Sequence, residues 1–153
     1  MILPGHLGAG YLAAYYLHLD KRVALAAAIF PDLVDKTARY VLDISPSGRI
    51  PMHSLLGWSF SAAWIGLLTR RRRPALAWAA GYATHLLADV LTDLLHAQEG
   101  SPYLLWPFVP LAPSRYQSLL DGLLEYGPWT WALEAGVAIW AFLLWLTGRR
   151  RRG

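Results

Sequence analysis

The chain has 153 residues, of which 56% are hydrophobic and only 16% charged, against about 25% charged in an ordinary soluble domain. That length suits one domain, residues 1–153, and disfavours two of ordinary size. The absence of cysteine excludes disulfides and thiolate metal sites, and the net charge of +4 comes largely from arginine clusters at residues 70–73 and 149–152.

Five apolar segments are predicted as helices. The first covers residues 2–19 and ends at Lys21-Arg22. It has no basic leader and no A-x-A site, so it is not expected to be a removable signal. The second covers 23–42 and contains Pro31, which is expected to kink it and open carbonyls. The third begins at His53 or Ser54 and stops at Thr69, before the four arginines. The fourth runs from Pro74 or Ala75 to His96. An outer loop over 97–128 follows, with a Pro- and aromatic-rich part at 101–113 and an amphipathic turn at 118–126 suited to a membrane surface. The fifth segment covers 129–147 and is closed by Gly148 and the arginine tail.

Most of these segments approach the roughly 17–25 residues that cross a bilayer. Five spans put all three basic clusters on one side. By the positive-inside rule that side is the cytoplasm, giving N-terminus out and C-terminus in. Eight tryptophans and eight tyrosines suit two water–lipid interfaces. The arginine runs lack an aromatic-interleaved basic face, so no nucleic-acid partner is expected. Small residues at four-residue spacing allow close helix contact in lipid: Ala24/Ala28, Gly57/Ser61, Ala77/Gly81 and Ala132/Gly136. The expected fold is therefore all-α, a polytopic bundle of about five transmembrane helices in the cytoplasmic membrane of a prokaryote.

The informative residues are the ionisable ones within the apolar segments. Each costs roughly 2.5–3.5 kcal/mol at a helix centre on insertion scales. His6 lies in the first segment, Asp32, Asp35 and Lys36 in the second, His53 at the start of the third, and His85, Asp89 and Asp93 in the fourth. His85 and Asp89 share a helix face, as do Asp32 and Asp35, and Lys36 can pair with Asp32. At about 1.5 Å rise per residue, Asp32 and His85 lie about 14–15 Å from the cytoplasmic ends of their segments. On that count the imidazoles and carboxylates fall in the outer half of the bilayer. Such a layer is a site for a divalent ion, Zn first, with Mn or Mg as alternatives. Asp93, Asp43 and Glu134 are expected nearer the outer surface, and His18 and His96 at the interface.

The ordered pieces Gly5-His6-Leu7, Phe30-Pro31-Asp32-Leu33-Val34-Asp35-Lys36, Ser47-Gly48-Arg49 with His53-Ser54, Gly81-Tyr82-Ala83-Thr84-His85-Leu86-Leu87-Ala88-Asp89 and Leu105-Trp106-Pro107 resemble an uncharacterised family. It comprises bacterial and archaeal membrane-bound metal-dependent hydrolases, one branch of which is labelled LexA-binding. The resemblance covers roughly residues 5–110 and implies an inner-membrane protein with a His/Asp metal centre. By distant analogy it is similar to the zinc-dependent phospholipase C and nuclease group, which cleaves phosphoesters. Two departures stand out. Asp32 and Asp35 are three apart where many members have Pro-Asp-x-Asp, and Gly48 stands where many have a histidine before Arg49.

The leading expectation is a membrane-embedded hydrolase acting on a lipid or lipid-linked phosphoester from the outer leaflet. His6, Asp32, His53, His85 and Asp89 are the expected metal ligands, with Asp35 a sixth and a candidate base. Arg49 and Lys36 are expected to contact the anionic group of the substrate, Arg49 also in a catalytic role. Tyr103, Trp106 and Phe108 are expected either to cover the site or to anchor the loop at the interface. Two alternatives remain at this stage: an ion or proton relay, and a non-catalytic metal-binding scaffold. Mostly apolar residues below Asp32 and His85 count against a through-path. Oligomeric state is not readable.

Overall fold

The computed structural model describes residues 2–95, 101–111, 113, 118–124 and 126–150. Their regular structure is helical: α1 (Leu3–Tyr16), α2 (Lys21–Tyr40), α3 (Leu55–Thr69), α4 (Arg72–Leu95), α5 (Leu119–Leu124) and α6 (Pro128–Arg150), with a 3-10 turn at Pro102–Leu105. No strand occurs among the described residues.

Local chemistry moves several predicted boundaries. The first segment stops at Tyr16, not Leu19, and His18 takes a left-handed conformation with φ 54°. The Asp20 carboxylate then accepts from the backbone N–H groups of Arg22 and Val23 at 2.8 and 3.1 Å. This is an N-cap, so Lys21-Arg22 open α2 instead of closing α1. Ser54 caps α3 by accepting from Gly57 N at 3.0 Å, which leaves His53 in the preceding loop. Arg70, at φ 52°, ends α3, and Arg72 and Arg73 start α4. His96 lies outside the described residues.

Length and apolarity single out α6. Its stretch Pro128–Gly148 has 21 residues and a mean hydropathy of 1.5, enough to cross a membrane. No other helix among the described residues passes on both counts. The 14 residues of α1 extend about 21 Å, short of the ~30 Å hydrocarbon thickness. The 24 residues of α4 are long enough but carry buried polar groups.

Helix α4 is central and packs against α1, α2 and α3, while α6 lies mainly along α1. Close approach depends on missing side chains. A Cβ on Gly81 would meet the Ala24 carbonyl oxygen at 2.1 Å, and one on Gly10 would meet the Ala28 Cβ at 2.7 Å. The α1–α2–α4 contact is thus nearly backbone to backbone, the geometry that small residues permit.

The polarity of this bundle is inverted relative to a water-soluble core. Of the described Leu, Ile, Val, Phe, Met and Trp residues, only Ile50 and Leu86 are buried. The interior instead holds alanines together with His6, Asp35, His53, His85, Asp89, Asp93 and Glu134. Large apolar side chains such as Phe60, Leu67, Leu87, Leu94, Trp129 and Phe142 point outward. A soluble domain buries such residues first; an exterior this apolar matches a lipid solvent.

Candidate metal centre

The central groups come from four places in the chain. His6 is on the second turn of α1, Asp32 and Asp35 are on α2, His53 is in the loop before α3, and His85 and Asp89 are on α4. All three imidazoles are fully buried. Ala28, three residues before Pro31, turns its carbonyl onto His85, whose Nδ1 lies 2.7 Å from that oxygen. A carbonyl only accepts, so His85 Nδ1 carries the proton and its Nε2 presents a lone pair inward. The Ala28 carbonyl thus orients a histidine.

His53 is held in the same way. Its Nδ1 lies 2.7 Å from Asp35 Oδ2, and its backbone N–H donates to that oxygen at 3.0 Å. Asp35 Oδ1 accepts from Met52 N, also at 3.0 Å. Asp35, expected as a sixth ligand and as the base, thus stands behind His53 with both oxygens engaged. Its geometry fits orientation of a ligand, a common role for a carboxylate one step removed from a metal. The Tyr82 hydroxyl donates to the Met52 carbonyl and pins the same loop.

The inward atoms converge. His53 Nε2 lies 3.1 Å from His85 Nε2, 3.2 Å from Asp32 Oδ1 and 3.4 Å from Asp89 Oδ2. His85 Nε2 lies 3.8 and 3.6 Å from the same two oxygens. His6 Nε2 approaches the other oxygens, Asp89 Oδ1 at 3.4 Å and Asp32 Oδ2 at 3.9 Å. Tetrahedral zinc, with bonds of about 2.0–2.2 Å, sets its ligand atoms roughly 3.3–3.5 Å apart. The observed spacings bracket that value. Two trios, His6/His85/Asp89 and Asp32/His53/His85, have ligand atoms close enough to hold an ion.

Electrostatics favours a cation here. Two inward nitrogens 3.1 Å apart repel unless a proton or a metal lies between them. Asp32 Oδ1 is buried without a hydrogen-bond partner. Among the described residues, and with the imidazoles neutral, four carboxylates, Asp32, Asp35, Asp89 and Asp93, face two cations, Lys36 and Arg49, leaving a formal surplus of two negative charges. A divalent ion would cancel that surplus, and nitrogen with carboxylate oxygen is a donor set suited to zinc or manganese.

The cationic residues are both committed to acids. Lys36 Nζ donates to Asp32 Oδ2 at 2.6 Å, the pairing expected from their spacing. Arg49 Nη1 lies 2.9 and 2.8 Å from the two oxygens of Asp93, and its guanidinium stacks 4.8 Å from the Tyr103 ring centre. Burial would lower the Arg49 pKa, but Asp89 and Asp93 outweigh it and hold the group above its ordinary value. Burial pushes the Tyr103 hydroxyl up, so it stays a donor, to Asp93 at 2.9 Å.

Two residues expected near the surface are buried instead. Asp93 is enclosed by Arg49, Ser101 and Tyr103, because the 101–105 turn folds over the end of α4. Glu134, on α6, accepts from Ile2 N at 2.6 Å and tethers the start of α1. Asp43 is at the surface as expected, with its side chain 84% exposed and paired with Arg39. Of the covering aromatics, Tyr103 is buried against the site, whereas Phe108 is exposed. Tyr82, to which the sequence assigned no role, bonds the Met52 carbonyl in the loop that carries His53.

A family model described as YdjM inner membrane protein matches residues 1–152, so the chain belongs to that family. This supports an inner-membrane location, with which α6 is consistent. The description carries no activity, so the hydrolase and metal implications of the resemblance stay expectations. No curated protein and no solved structure matches the chain.

Proposed function

We propose that the chain is a membrane-embedded, metal-dependent hydrolase, with His6, Asp32, His53, His85 and Asp89 as ligands. The observation that carries this reading is the backing of two histidines. His53 and His85 each give Nδ1 to a fixed acceptor, Asp35 or the Ala28 carbonyl, and aim Nε2 at two carboxylates. The inverted polarity of the bundle supports five membrane-crossing segments, and the basic clusters at residues 70–73 and 149–152 favour the N-terminus outside and the C-terminus inside. The shorter α1 and α3 would then lie in a locally thinned bilayer.

A bound divalent ion would bring a water pKa toward about 7 and polarise a phosphoryl or carbonyl oxygen. The protein's residues do the rest. Asp35 and Ala28 hold the imidazoles, and Lys36 and Arg49 supply positive charge beside Asp32 and Asp89 for an anionic group. The substrate class is a lipid or lipid-linked phosphoester. In the reaction, a water oxygen forms a bond to phosphorus and the P–O bond to the alcohol breaks. The leaving alkoxide takes one proton, and the other passes to solvent.

The test is hydrolysis of phospholipids and polyprenyl phosphates by detergent-purified protein, with and without chelator. Release of alcohol or phosphate that chelation abolishes and zinc or manganese restores is expected. Stoichiometric metal with no turnover on any phosphoester would leave a metal-binding scaffold instead.

A further inference from the structure

The five inward groups form a two-ion centre, we infer, with Asp32 and Asp89 bridging; this rests on the metal reading above and adds the number and division of the ions. The first observation is how the carboxylate oxygens are shared. Asp32 Oδ1 and Asp89 Oδ2 face the pair His53 and His85, at 3.2–3.8 Å. Asp32 Oδ2, which also accepts from Lys36 Nζ, and Asp89 Oδ1 face His6, at 3.9 and 3.4 Å. Each acid thus turns one oxygen to each of two places, the arrangement of a bridge between ions.

The second observation concerns ring planes. A metal binds imidazole in the plane of the ring, about 2.0–2.1 Å from the nitrogen. The His6 and His85 rings are stacked, with centres 3.8 Å apart and planes 19° apart. The His6/His85/Asp89 atoms are near enough by distance, but with planes so nearly parallel an ion in the plane of one ring lies out of the plane of the other, which disfavours their sharing one ion. His53 and His85 can share one, because their planes are inclined by 64° and their Nε2 atoms are 3.1 Å apart. His85 therefore goes with His53, and His6 serves a separate ion.

This division has a chemical consequence. Among the described residues an ion at His53 and His85 would have four protein ligands, whereas one at His6 would have one imidazole and two carboxylate oxygens, the ligand number of catalytic zinc sites. Paired ions also act as a clamp in phosphoester cleavage. Two divalent ions change the local surplus from two negative charges to two positive ones, matched to a phosphate dianion.

The experiment loads the detergent-purified full chain with Mn²⁺, counts bound manganese and records its electron paramagnetic resonance. The wild-type chain is expected to hold two ions with a spin-coupled spectrum. His6→Ala and the milder His6→Gln are expected to hold one, with an isolated-ion spectrum. One ion per wild-type chain with an isolated spectrum would overturn the two-ion centre and leave the single-metal reading intact. Two coupled ions retained in both His6 variants would overturn the assignment of His6. No bound ion in the wild-type chain would overturn both readings together.

Discussion

His53 Nδ1 and Asp35 Oδ2 lie 2.7 Å apart on the side of the imidazole that faces away from the other histidines. The same carboxylate also holds the backbone N–H groups of Met52 and His53. One acid therefore fixes the ring, its tautomer and the loop that carries it.

Asp35→Asn should consequently weaken metal binding without removing a ligand. Loss of such an orienting carboxylate typically costs about 10–100-fold in affinity. Competition against a zinc indicator is the measurement. Affinity equal to wild type would show that Asp35 does not set the His53 tautomer.

Gly81→Ala should destabilise the bundle, because its Cβ would meet the Ala24 carbonyl oxygen at 2.1 Å and force α2 from α4. Overpacking of this kind costs about 1–3 kcal/mol. Gly136→Ala on α6 meets nothing within 4 Å and serves as the control. Thermal unfolding in detergent should fall for the first and stay unchanged or rise slightly for the second.

Arg49→Lys keeps the charge but loses the planar guanidinium that contacts both Asp93 oxygens and stacks on Tyr103. Metal content should be unchanged, while kcat/KM on a phosphoester substrate should drop about 10-fold or more, the equivalent of one charge-assisted hydrogen bond. A loss of metal would instead assign Arg49 to holding the centre together.

The topology can be read with single cysteines, since the chain has none of its own. Pro46→Cys lies in the exposed loop after α2, and Arg71→Cys in the turn between α3 and α4. A membrane-impermeant maleimide should label the first in intact spheroplasts and the second only after permeabilisation. The reverse pattern would invert the orientation.

The clustering of His6, Asp32, His53, His85 and Asp89 was legible in the sequence because burying such groups in apolar segments demands a compensating partner. Roles within that set were not legible. Helical spacing puts Asp32 and Asp35 on one face, but only the course of the 51–54 loop decides that Asp35 meets the back of His53 while Asp32 meets its front. Depth counted along one helix misplaced Asp93, because the 101–105 turn comes back over α4. Glu134 was misplaced for a similar reason: nothing local to α6 shows that the start of α1 docks there. The Asp20 cap was missed because the basic pair behind it resembles a stop signal.

X-ray absorption at the zinc edge on the reconstituted, detergent-purified chain tests the metal centre most directly. The expected result is a shell of nitrogen and oxygen at about 2.0–2.2 Å with the outer scattering of imidazole, lost in His85→Ala combined with His53→Ala. Zinc absent after reconstitution, or present without imidazole scattering, would contradict a metal held by these histidines.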